Sequence, residues 1–219
     1  MKHLYLLLFF LSFNTIGISQ NILEFFERVP DSSLLHLTKQ ERKDIVKYSK
    51  DNTSEDDAIS DLMDNKIEYA FSAVDLKNGY IKLVGSFPGH IQMCYWNMQN
   101  GNKLIAIYLE ECGPVCFNGQ LDFYEFNGIE FKPIEARNII PEVYNDFFGE
   151  NSKSKIEAFN NEEIVATLLF ELPRKGKNIV AKWGNEEREE IYKRYVIGNR
   201  MDLIWNDGKF EKGKIYWEK

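Results

Sequence analysis

The chain of 219 residues has little of what most recognisable chemistry needs. Histidine occurs three times, as His3, His36 and His90, which leaves little room for a three-histidine metal site or a histidine-based triad. The nearest approach to a nucleophile elbow, Gly85-Ser86-Phe87-Pro88-Gly89, has the wrong spacing. A glycine-rich phosphate loop and a dinucleotide fingerprint are also missing. Long apolar runs are scarce: Leu4 to Phe13, broken by Ser12, falls short of the about twenty residues of a membrane-spanning helix. Positive charge is in deficit, with 27 Lys and Arg against 34 Asp and Glu and a formal net charge of -7. Such a chain is repelled by phosphate backbones, so nucleic acid and anionic membranes are not expected partners. The reading at this level contains no catalytic residues, no metal and no cofactor.

What is present begins with an export signal. Met1-Lys2-His3 is a short basic start, the apolar run follows, and Gly17 and Ser19 place small residues three and one positions before Gln20. This is the layout of a cleavable signal peptide over residues 1–19. It predicts a periplasmic or secreted product, without a transmembrane segment in the mature chain. No cysteine lies near the cleavage point to carry a lipid. In an oxidising compartment Cys112 and Cys116 are the expected disulfide, because Gly113-Pro114 favours a turn between them. So short a loop contributes about 2 kcal/mol on the chain-entropy estimate. A metal half-site is the alternative for this pair, but no second Cys/His pair stands at suitable spacing to complete it. Cys94 reads as a buried strand residue.

Apolar residues at helical spacing from Ile22 to Val29, ending before Pro30, predict a first helix. Thr38-Lys39-Gln40-Glu41 has the order of a capping box and predicts a second helix over 38–50. His36, between Leu35 and Leu37, is read as a packed helix residue. From Tyr80 onward the pattern becomes strands (80–87, 91–98, 104–110, 121–126, 129–132) separated by turns such as Asn100-Gly101 and Asn127-Gly128, the chemistry of tight hairpins. His90 falls at a hairpin end. Pro141 to Phe148 reads as a short helix, and strands resume at 163–172, 178–183, 200–205 and 209–217, the last two joined at Asp207-Gly208. Pro88 then answers Pro173, and Trp96 answers Trp183. The fold class expected is α+β: antiparallel β-meanders with short helices on one face, in two tandem helix-plus-four-strand units over 20–138 and 139–219, packed as one body.

Phe26-Glu27-Arg28-Val29-Pro30-Asp31-Ser32-Ser33-Leu34-Leu35, and later Cys112-Gly113-Pro114-Val115-Cys116 leading to Leu121-Asp122-Phe123-Tyr124, resemble a Bacteroidota family of secreted proteins known as a domain of unknown function. The likeness covers roughly residues 22–134; Phe117-Asn118-Gly119-Gln120 departs from the family pattern. The resemblance implies no activity and no site residues.

Function is therefore sought in the surplus aromatics of the strands. Alternation sends Phe123 and Tyr124 to opposite faces, and exposed aromatic patches mark binding surfaces. Trp183 and Trp205 are the candidate binding residues, with a two-sided core as the competing reading. The expected function is an exported, non-enzymatic binding protein of the cell envelope, holding an envelope protein or polymer. The alternative is a glycosidase-like hydrolase using dispersed carboxylates, although Asp122 and Glu125 face opposite ways and make no pair.

Overall fold

The computed structural model describes residues 21–34, 36–48, 68–85, 89–112, 116–162, 167–183 and 189–218. The signal peptide expected over 1–19 and the turn expected at Gly113-Pro114 lie outside the described residues.

Helix α1 (Ile22–Arg28) starts at Asn21, whose side chain accepts from the Leu23 and Glu24 amides, and buries Ile22, Phe25 and Phe26. A 3-10 turn (Asp31–Ser33) leads to α2 (Lys39–Tyr48). The capping box is formed: Thr38 N donates to Glu41 Oε2 at 2.7 Å, and Glu41 N donates to Thr38 Oγ1 at 3.3 Å. His36 is not in a helix. It sits exposed in the connecting turn, because Leu34 and Leu37 take the buried positions and the cap delays α2 until Lys39.

The two helices are joined through Arg42, which is fully buried on α2. Its guanidinium donates to Leu37 O at 2.7 Å, Val29 O at 2.8 Å and Asp31 Oδ1 at 2.9 Å, with a longer bond to Glu27 O. It therefore satisfies carbonyls that α1 leaves open at its C-terminus.

Ten strands follow: β1 (Tyr69–Asp75), β2 (Tyr80–Gly85), β3 (Gly89–Asn97), β4 (Lys103–Cys112), β5 (Cys116–Phe126), β6 (Phe131–Ile134), β7 (Leu168–Glu171), β8 (Ile179–Trp183), β9 (Arg200–Asn206) and β10 (Lys209–Tyr216). They form two antiparallel sheets, β1 to β6 and β7 to β10, each ordered as in the chain. The Asp207-Gly208 turn takes positive φ at both residues, as a two-residue hairpin requires. Between β6 and β7 come two 3-10 turns, Ala136–Asn138 and Tyr144–Phe148, and helix α3 (Ser152–Asn160). Helix α4 (Glu189–Tyr192) lies between β8 and β9. The helix expected over 141–148 is thus only a 3-10 turn, stopped at Gly149 with φ 61°.

Alternation divides the six-stranded sheet cleanly. Ile81, Leu83, Ile91, Met93, Ile105 and Ile107 face α1 and α2. Tyr80, Cys94, Trp96, Leu104, Ala106 and Phe123 face the opposite way, against Ile179, Ala181, Met201 and Leu203 of the four-stranded sheet. The sheets are tied where Trp96 Nε1 donates to Lys177 O at 2.8 Å. The result is three layers, with the N-terminal helices on one face of the larger sheet and the smaller sheet on the other.

Candidate functional site

The tryptophans singled out from the sequence lie between the sheets. Trp183 is 2% exposed, and the rings of Tyr144, Phe147, Phe148 and Phe159 surround it at 5.6 to 5.9 Å. Trp205 is half-buried and stacks on Trp96 at 5.4 Å and 17°. The exposed tryptophan face expected from the sequence is therefore not formed by this pair. Both project from the smaller sheet, where the larger sheet covers Trp205 through Trp96 and the Tyr144–Phe148 turn and α3 cover Trp183, and aromatic pairs gain from such packing.

The polar chemistry gathers at the other end of the sheet. His90 on β3 pairs across the ladder with Glu110 on β4, and Gln92 pairs with Tyr108. Alternation puts all four side chains on one face. The β4–β5 register shifts between Leu109 and Glu111, so Glu110 sits at a bulge, a device that re-aims side chains beside sites. A glycine at 119 is needed there, since a Cβ would run into the Tyr108 ring.

The hydrogen bonds fix the protonation state. Leu172 N donates to Gln92 Oε1 at 2.9 Å, which orients the amide. Gln92 Nε2 therefore donates to His90 Nε2 at 2.6 Å. His90 must then carry its proton on Nδ1, which faces Glu110 Oε1 at 3.5 Å. A second proton on Nε2 would oppose two donors, and burial, with the fields of Lys82 and Lys182, pushes the His90 pKa down to about 4. The contact is accordingly a neutral imidazole beside a carboxylate.

Burial raises the Glu110 pKa, against the pull of Lys182, Lys82 and the Tyr108 hydroxyl, which donates to Glu110 Oε2 at 3.5 Å. Burial also raises Tyr108. Glu110 Oε1 further lies 3.7 Å from Cys112 Sγ. Among the described residues no Lys or Arg nitrogen comes within ion-pair distance of Glu110.

A cavity of about 430 Å³ opens at this end of the molecule. Its wall brings together His36, Glu68, Tyr69, His90, Glu110 and Glu111, with Ile91 and Leu109 as apolar panels. Gly89, at φ 132°, forms part of it; a Cβ there would strike the Glu110 carbonyl. The Tyr69 pKa is raised by burial and then by Glu68 and Glu111.

Sequence reasoning placed His90 at a hairpin end but did not connect it with Glu110, and it did not bring His36 to the same wall. Only strand register and loop placement do so. The expected disulfide partners Cys112 and Cys116 stand opposite each other in the β4–β5 ladder, and Cys94 is buried with a free thiol. Among the described residues no group of three or more His, Cys, Asp and Glu is arranged to hold a metal. Among them, too, no helix is long and apolar enough to cross a membrane.

Residues 16–174 match the family described as protein of unknown function (DUF3256). Among curated proteins none matches the chain. A solved structure of a domain of an uncharacterized protein from Porphyromonas gingivalis W83 is similar in fold, with a TM-score of 0.62. It is 16% identical, and the likeness covers 88% of this chain and 98% of that one.

Proposed function

This chain belongs to the DUF3256 family, and from that premise and the site's geometry we propose that it is an exported, non-enzymatic binding protein of the cell envelope. Its binding site in this reading is the cavity at the β3–β4 end. The chain acts in the periplasm or outside the cell after loss of residues 1–19, with Cys112 paired to Cys116 beside the cavity. The tandem-unit reading stands as a further proposal, supported by Trp96 and Trp183 both projecting into the inter-sheet core.

The observation that carries binding over catalysis is the occupied lone pair of His90. Its one acceptor nitrogen already takes the Gln92 amide at 2.6 Å, so it is not free to accept a proton from a substrate. The group instead holds the cavity wall in one geometry, and preorganised walls favour affinity. The test is a pull-down from the producing cell's envelope fraction with the mature chain and a His36→Trp/Glu111→Arg variant of unchanged circular dichroism. Both positions are exposed. A partner held by the wild type and lost by the variant supports the cavity; a partner held equally by both removes it.

A second reading, a carboxylate-based hydrolase, draws on the raised pKa of Glu110 in a wall shared with Glu68 and Glu111. Release of reducing sugar from an envelope polysaccharide by the wild type and not by Glu110→Gln would favour it over binding.

A further inference from the structure

We propose that His90 and Gln92 form a proton-operated latch, which holds the end of β7 to the larger sheet at neutral pH and releases it in acid. Leu172 lies one residue past β7, whose last ladder pair is Glu171 with Val180. Its amide turns instead to the other sheet and donates to Gln92 Oε1 at 2.9 Å. The Tyr80 hydroxyl donates to the same oxygen at 3.4 Å, so two donors fix which end of the side-chain amide faces β7. The other end, Nε2, donates to His90 Nε2 at 2.6 Å. A bond between the two sheets thus hangs on a nitrogen that can take up a proton.

Protonation reverses the polarity of that nitrogen, since both ring nitrogens of an imidazolium are donors. Gln92 then meets a donor with a donor. Turning its amide over presents Oε1 to His90, but it also presents the NH2 group to the Leu172 amide, again donor against donor. Neither orientation serves both neighbours once His90 is charged. Gln92 and Leu172 are each only 5% exposed, and a buried donor without an acceptor is costly, so the Leu172 end of the network opens to water.

The charges around His90 come from the strands on every side of it. Lys82 on β2 and Lys182 on β8 oppose its protonation, whereas Glu171 on β7 and the Glu110 carboxylate on β4, 3.5 Å from Nδ1, favour it. The Tyr108 ring lies 6.3 Å from the imidazole, and Glu68, Glu111 and His36 stand exposed on the cavity wall. Burial outweighs them all, and the closed network takes its proton only at about 4. An imidazole released into water takes it near the ordinary value of about 6.5, so by linkage acid favours the open form.

Trp96 supplies a control within the molecule. Its Nε1 donates to Lys177 O at 2.8 Å and ties the same two sheets with no titratable group involved. The test is amide and indole hydrogen exchange by NMR on the isotopically labelled mature chain, from neutral pH down through about 4. Protonation of His90 is followed in the same samples by its ring-nitrogen shifts. Protection at Leu172, corrected for the intrinsic pH dependence of exchange, is expected to fall by about tenfold as the imidazole titrates, the worth of one hydrogen bond. The Trp96 indole and the β8–β9 ladder should keep theirs. In His90→Gln, which offers Gln92 a carbonyl oxygen but cannot be charged, Leu172 should stay protected throughout. Unchanged protection at Leu172 across the imidazole titration overturns the latch. So does a loss shared by Leu172, Trp96 and the ladder at one pH, which is global acid unfolding, and so does a fall at Leu172 that persists in His90→Gln. Should that variant not fold, the wild-type comparison of Leu172 with Trp96 decides alone.

Discussion

Replacing Arg42 tests how the two N-terminal helices are held to each other. The side chain is fully buried, and truncation to alanine would leave the Val29 and Leu37 carbonyls without the donors they now have at 2.8 and 2.7 Å. Stranding a buried acceptor costs about 1–3 kcal/mol, and a void is added where the guanidinium lay. We expect Arg42→Ala to lose about 3–5 kcal/mol, the range found when a buried charged group's network is broken from one side. That is a large part of the about 5–15 kcal/mol that a domain has in total. The ion pair with Asp31 is a different matter, since that carboxylate's side chain is 68% exposed. Solvent screening limits it to about 0–1 kcal/mol, so Asp31→Ala should cost far less than Arg42→Ala. Urea denaturation of the mature chain followed by tryptophan fluorescence, with hydrogen exchange on α1, measures both. A loss under about 1 kcal/mol for Arg42→Ala, or equal losses for the two variants, would refute the view that the arginine acts through backbone carbonyls.

His90 has a folded pKa of about 4 against an ordinary 6.5, so the unfolded chain binds the extra proton first. Its contribution is complete above pH 6.5 and is lost as pH falls towards about 4, by about 3 kcal/mol if the whole shift is realised. Glu110, raised, acts in the opposite sense: its contribution is present below the ordinary carboxyl value and fades as pH rises through the folded one. His90→Gln should therefore flatten the urea midpoint across the histidine window; an unchanged slope would contradict the neutral tautomer. Trp183→Ala should cost about 3–5 kcal/mol, and Trp205→Ala, starting half-buried, clearly less; comparable thermal shifts would count against the placement of Trp183 at the core. For the cysteines, alkylation without reductant should label only Cys94, and only in denaturant. Labelling at Cys112 would disprove the proposed pair.

What could be read from the sequence was what neighbours in the chain decide. Thr38 and Glu41 form their cap within one turn, and Asp207-Gly208 turns its hairpin by local backbone preference. Strand β1 was missed because a bulge between Phe71 and Ala73 breaks its alternation into pairs of buried residues. Helix α3 was missed because its only fully buried side chain is Phe159, which leaves little amphipathic pattern to find. The candidate site was beyond sequence reach for another reason. Whether His90 meets Glu110 depends on a register that one residue of slippage would undo. Arg42 reads as an ordinary charged helix residue until two turns of distant backbone close over it.

The order of the strands bears on how the molecule assembles. Every hydrogen-bonded neighbour in both sheets is also the next strand in the chain. No strand waits for a distant partner, so the hairpins close at the small entropic loss of a short loop, except β8–β9, whose connection carries α4. A chain made from its N-terminus can extend the larger sheet one strand at a time, and contacts of this local kind favour rapid folding. Docking of the smaller sheet through Trp96 and Lys177, some eighty positions apart, is then the late event, and an assembly halted before it would leave Trp96 and Phe123 facing water.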